Sequence, residues 1–201
     1  MMGTAVSIAE QTLGNTPDAA ALDAAASALA DLDRQLQAVP GLWCMLSDPA
    51  ATTRLQHRLE TLQQQVAAHE CTLDQMAAAP DDRTEQHNAA LIRLKDALWA
   101  VHNDRLRHAR SVRELAGGDL PHLAAATAFS SLDIALSALD RLEVRGRDSA
   151  GITLVVNGVD PADVRLAPRI AERATDRLFQ NGSVRAADGC INFVYKRAAE
   201  I

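Results

Sequence analysis

The sequence is poor in aromatic residues, which fill only 3% of its 201 positions, while apolar residues as a whole reach 48%. A core must therefore be built from Ala, Leu, Val and Ile. Ala and Leu lose little freedom on entering a helix, so this scarcity of rings favours helix over sheet. Cysteine is also scarce. Cys44, Cys71 and Cys190 are odd in number and far apart, which speaks against a disulfide framework and fits a reducing cytoplasm. A basic surplus is missing as well, since the net charge is −6. Nucleic-acid binders carry a basic footprint, so no nucleic-acid partner is expected. No run approaches ~20 uninterrupted apolar residues, and none is expected to span a membrane. Residues 1–16 lack the basic and apolar regions of an export signal, and the expected location is the cytoplasm.

What is present is helical rhythm. Residues 1–16 read as irregular. Thr16, Pro17 and Asp18 then form a helix start, with Thr16 as N-cap, Pro17 in the first turn and Asp18 complementing the dipole. Leu22, Ala26, Leu29, Leu32 and Leu36 keep helical spacing until Pro40-Gly41. A short apolar connector, Leu42–Leu46, holds Trp43 and Cys44. Ser47-Asp48-Pro49 opens a second helix, in which Leu55, Leu59, Leu62, Val66, His69, Leu73 and Met76 alternate steps of four and three. That is the heptad seam of a helix lying along a partner helix. Asp81-Asp82 opens a third, with Leu91, Leu94, Leu98 and Val101 as its stripe, running to about Leu115 before Gly117-Gly118. A fourth starts near Pro121 and carries Leu132, Ile134, Leu136, Leu139 and Leu142.

The texture changes after Gly146. Ile152–Val156 is short and rich in β-branched residues, and reads as a buried strand. Asp160-Pro161 signals another helix toward Phe179, and Asn181-Gly182 a turn. Ser183–Ala186 and Cys190–Tyr195 read as two strands of a hairpin around Asp188-Gly189. The expected fold is α+β, mainly α: an antiparallel helical bundle followed by a small partial α/β layer with about three short strands. The expected divisions are an irregular N-terminus over 1–16, a helical bundle or hairpin extension over 17–120, and a helix plus α/β segment over 121–201. Residues 196–201 read as the start of a further helix, so the chain is expected to be part of a longer protein.

One block carries candidate chemistry. Arg141-Leu-Glu-Val-Arg-Gly-Arg-Asp-Ser-Ala-Gly-Ile152 joins a helix end to a strand start. Arg145, Arg147 and Asp148 lie at the corner. Arginine forks suit carboxylate recognition, and Asp148 could hold one fork in place; on physics alone the corner reads first as a surface turn with solvated charges. The block resembles the Arg-Leu-Glu-Tyr-Arg-Gly-Tyr-Asp-Ser-Ala-Gly block of class II glutamine amidotransferases, glutamine–fructose-6-phosphate aminotransferases among them. It departs at Val144 and Arg147, where that family has tyrosine. The resemblance implies an amidotransferase scaffold with Arg145, Gly146, Asp148 and Ser149 bordering its site, and glutamine and a sugar phosphate as ligands of the full-length protein.

Other parts of that family's machinery are missing. Its nucleophile is an N-terminal cysteine whose α-amine acts as base. Here the first cysteine is Cys44, which could serve only after cleavage before it, and an apolar-flanked cysteine is ordinarily a packing residue. The His-Thr-Arg-Trp block that binds the glutamine carboxylate does not occur. No activity is expected of these 201 residues alone. The alternative is a non-enzymatic helical interaction or oligomerisation module, a homo-oligomer or partner-bound form built through the seam. The six histidines show no metal-ligand spacing, so neither a metal nor a cofactor is expected. His69 in the seam should bond a neighbour or set register. Ser130-Ser131 has no base nearby in sequence. Arg105, Arg107, Arg110 and Arg113 cluster toward a helix C-terminus, where the macrodipole favours cations.

Overall fold

The structure, a computed structural model, describes residues 2–14, 17–76, 82–143, 150–175, 184–187 and 189–197. The fold is mainly helical with one small antiparallel sheet. The chain divides into two compact units, Met1–Ala135 and Leu136–Ile201, and the division falls within a helix.

The first unit holds α1 (Met2–Leu13), α2 (Ala19–Gln37), α3 (Val39–Ser47), α4 (Pro49–Met76), α5 (Asp82–Trp99), a π-helical segment (Ala100–Leu106), α6 (Arg107–Ala116) and the first part of α7 (Leu123–Glu143). The expected irregular N-terminus is instead α1. It is too short to be stable alone, and it forms because Val6 and Ala9 are fully buried against the bundle. Arg58 of α4 pins it, donating to both carboxylate oxygens of Glu10 at 2.9 and 2.7 Å and to Ser7 Oγ at 2.8 Å.

The caps explain several boundaries. Asp18, rather than Thr16, is the N-cap of α2, accepting from the Ala21 amide at 2.8 Å. The stripe Leu22, Ala26, Leu29, Leu32 and Leu36 is buried as its spacing requires. The Leu42–Leu46 connector is corrected to helix α3. Pro40 sits in its first turn, where a missing N–H costs nothing. A Cβ on Gly41 would run into the Gln35 carbonyl oxygen, so only glycine lets α3 fold back this tightly on the end of α2. Asp48 caps α4 through the Ala51 amide at 2.8 Å.

The heptad seam of α4 is consumed inside the unit. Leu55, Leu59, Leu62 and Val66 are buried in the core shared with α1, α3 and α5. The third helix runs through a π-helical turn that its sequence explains. Its buried residues step 98, 101, 106, 109, 112, and the five-residue step from Val101 to Leu106 spans the polar run His102–Arg105. Ordinary α geometry would turn Leu106 off the core; the wider turn returns it. Gly117 ends α6 in the left-handed region at φ 74°.

In α7 the inward residues are Ala126, Ser130 and Asp133, while Ile134 of the expected stripe is 61% exposed. The stretch Leu123–Arg141 is long and apolar enough to cross a membrane, and only 17% of it is buried. Asp133, near its middle, is hydrogen-bonded to His108 and Ser111 of α6, and a carboxylate at that position is costly in hydrocarbon.

The second unit holds the remainder of α7, β1 (Ala150–Asn157), α8 (Ala167–Thr175), β2 (Val184–Ala187) and β3 (Cys190–Arg197). The strand order is β1-β3-β2, all antiparallel. Ala187 pairs with Cys190, closing the expected two-residue hairpin, with Gly189 at φ 72°. β1 is half-buried rather than buried: Ile152, Leu154 and Val156 face inward, and Val155 is 51% exposed. The helix expected from Asp160 begins only at Ala167. Asp160 instead holds a turn, accepting from the Ala162 amide at 2.9 Å. Asn181-Gly182 lies outside the described residues.

Candidate functional site

Arg145, Gly146, Arg147, Asp148 and Ser149 lie outside the described residues, but the elements flanking their block are described. α7 ends at Glu143 and β1 begins at Ala150. β1 then pairs along its whole length with β3, from Ala150 opposite Arg197 to Asn157 opposite Cys190. Beside this sheet lies a groove of about 470 Å³, with Leu166, Ile170, Ile191 and Phe193 as its apolar lining and Arg169 and Glu172 among its polar residues.

Cys44 is exposed, not packed. It lies on the outer side of α3, whose buried residues are Leu42, Met45 and Leu46. Freeing it as an N-terminal residue would cut α3 in two. Cys71 is exposed on α4, and Cys190 is half-buried at the start of β3.

The first unit contains a polar cluster that local spacing along the chain did not show. His108 and Ser111 lie one turn apart on α6; Ser130 and Asp133 lie one turn apart on α7. His108 Nδ1 is 2.6 Å from Asp133 Oδ2, and its Nε2 is 2.9 Å from Ser130 Oγ. Ser111 Oγ donates to the other oxygen of Asp133. Ser130 therefore has a base, contrary to expectation, and the order serine–histidine–aspartate is that of a hydrolase triad. Its surroundings differ from a hydrolase's. Ser130 and Asp133 are 9% and 8% exposed, and Ser130 sits mid-helix, where neighbouring amides are already hydrogen-bonded along α7. No pair of free N–H groups is available there to stabilise an oxyanion. The cluster satisfies buried polar groups and ties α7 to α6.

The basic cluster is structural, by cross-linking rather than by the macrodipole alone. Arg105 Nε donates to Asp33 Oδ1 of α2 at 2.7 Å, Arg110 reaches Gln56 of α4 at 3.1 Å, and Arg113 Nη2 donates to the Leu46 carbonyl of α3 at 2.7 Å. His69 meets His87 of α5, Nε2 to Nε2, at 3.1 Å. Burial, then the facing His87 ring, holds the His69 imidazole below the ordinary histidine value. Among the described residues, no group of three or more His, Cys, Asp or Glu side chains is arranged to hold a metal ion.

No protein-family model, curated protein or solved structure matches the chain.

Proposed function

We propose that the chain from about residue 123 is the opening layer of a class II glutamine amidotransferase-like protein, similar to glutamine–fructose-6-phosphate aminotransferases, and that the preceding helices are an extension of it. One observation carries the reading. The block 141–152 bridges a helix that ends at Glu143 and a strand that begins at Ala150, the setting such a block has in that family. β1 is an edge among the described strands and carries exposed Val155, as expected of a sheet that continues.

In this reading Arg145, Gly146, Asp148 and Ser149 border a site for glutamine, with a sugar phosphate as acceptor ligand of the full-length protein in the cytoplasm. The 201 residues alone are inactive, because they contain no His-Thr-Arg-Trp block and none of their cysteines is set up as that family's nucleophile. Incubating the purified chain with glutamine should release no ammonia above the blank. Steady release, lost on Arg145→Ala, would contradict that inactivity. The family reading is tested by reading the coding DNA downstream of Ile201: a His-Thr-Arg-Trp block in frame supports it, and an immediate stop codon counts against it.

The alternative, a helical interaction module, draws support from exposed apolar side chains outside the seam that suggested it. Ile92 and Trp99 of α5, seven residues apart on one helix face, are 57% and 55% exposed, and Ile134 of α7 is 61% exposed. A dimer that dissociates on Trp99→Glu would favour this reading. Leu62→Asp would not discriminate, since Leu62 is core and its replacement would unfold the bundle.

A further inference from the structure

We propose that His69 and His87 form a two-imidazole binding site for a borderline divalent transition metal such as Zn²⁺ or Ni²⁺. The two rings come from neighbouring helices, α4 and α5, and bring the same atom, Nε2, to within 3.1 Å. Two metal–imidazole bonds of about 2.0–2.1 Å at a tetrahedral angle place their nitrogens about 3.3–3.4 Å apart. The pair is a few tenths of an ångström short of that span, a displacement that side-chain rotation supplies. The rings are tilted by 44° with centroids 5.4 Å apart, so their edges converge and their faces do not stack. Both side chains are half-buried, which leaves the remaining coordination positions to solvent.

Three features favour the metal over the bare pair. Imidazole nitrogen suits Zn²⁺, Ni²⁺ and Cu²⁺, and ligation needs the neutral ring. Burial first and the facing ring second hold the His69 imidazole below the ordinary histidine value, a direction that favours the neutral ring. In addition, Gln65 lies one turn before His69 on the same face of α4, with its Oε1 withdrawn from water and without a hydrogen-bond partner among the described residues. A water bound to the metal is a strong donor and would satisfy that oxygen.

The proton accounting is simple. In the free pair one Nε2–H donates to the other ring's lone pair. On metal binding the donating ring moves its proton from Nε2 to Nδ1, so both Nε2 lone pairs face the ion. Between two neutral rings this exchange releases no net proton.

The test is thermal unfolding of the full chain with Zn²⁺ or Ni²⁺ up to millimolar concentration. The melting temperature should rise with metal. His69→Gln or His87→Gln should weaken the response about tenfold or more, while His57→Gln, on the solvent side of the same helix, should leave it intact. An equal rise in the His69→Gln/His87→Gln double variant, or no rise in the wild type, would overturn the proposal. Should a variant lose its helical circular dichroism, the wild type alone decides. Substoichiometric Ni²⁺ should broaden the imidazole NMR signals of His69 and His87 first, and earlier broadening of His57, His102, His108 or His122 overturns the proposal.

Discussion

The two units are built by opposite means. Among the described residues every buried apolar side chain except Ile191 belongs to the first unit. That unit closes on itself: α2 and α5 pack along one another, α4 turns its seam inward, and arginines from α4, the π-helical segment and α6 tie helix to helix. The second unit relies on strand pairing. Among the described residues its sheet has three strands, its β1 is half exposed, and an ion pair, Arg165–Asp163, lies between near neighbours in sequence. A three-stranded sheet with little helix packed on it is near the lower limit of independent stability. The difference teaches that the helical unit is held by a shared apolar core, whereas the described part of the second unit is held mainly by strand pairing.

The sharpest way to break this comparison is to open the core of the first unit. Leu59→Ala removes a side chain with no exposure, and should cost that unit about 2–5 kcal/mol in urea unfolding. Trp43 and Trp99 both lie in the first unit, so their fluorescence follows it alone. Leu154→Ala in half-buried β1 should leave that fluorescence transition in place. Equal shifts for the two variants would mean that the units unfold as one.

Gly41→Ala comes next. The added methyl meets backbone atoms of Gln35 and Leu36 that cannot rotate away, and a loss of about 1–3 kcal/mol is expected in the same transition. His108→Ala should cost about 1–3 kcal/mol, because it leaves Ser130 and one oxygen of Asp133 buried without their ring partner. The variant should also raise amide exchange in the first half of α7. If Ser130 were instead a nucleophile, a fluorophosphonate would label the wild type and not this variant; no labelling is expected.

A smaller effect concerns pH. The folded state lowers the His69 pKa below its ordinary value of 6.5, so the unfolded chain binds the proton more readily. This group should leave stability unchanged well above that value and reduce it as pH falls through it, until the folded-state value is reached. His69→Gln should flatten that part of the profile. The smallest effect lies in the second unit. Arg165, through its side chain and then its backbone amide, holds the Asp163 carboxyl down to about 2, yet both groups are at the surface. Arg165→Ala should raise the midpoint of the Asp163 NMR titration toward the ordinary aspartate value, with no measurable change in unfolding.

Much of the helical layout was legible because helix periodicity is local. The stripe of α2, the seam of α4 and the leucines of α5 announced both their elements and their buried faces. Capping at Asp48 and the hairpin around Asp188-Gly189 were legible for the same reason. α1 was not, since its few apolar positions gain their burial only from α2 and α4. The π-helical turn left a trace, the four polar residues between Val101 and Leu106, which reads as a break unless the core is known to continue beyond it.

The candidate sites divide in the same way. The block at 141–152 is contiguous, and its likeness to an amidotransferase corner needs nothing but the order of residues. The His108–Ser130–Asp133 cluster and the His69–His87 pair join residues 22 and 25, and 18, positions apart. Spacing along one chain segment says nothing about such pairs. The sequence by itself determined the long helices of the first unit and their apolar stripes, and that a short sheet follows, but not α1, α3 or the start of α8. Tertiary structure alone decided which helix faces meet, that the seam is spent internally, and which histidines find a partner. The physical reason is range: propensity, capping and periodicity act over a turn or two of chain, while burial and ion pairing are settled only when distant segments come into contact.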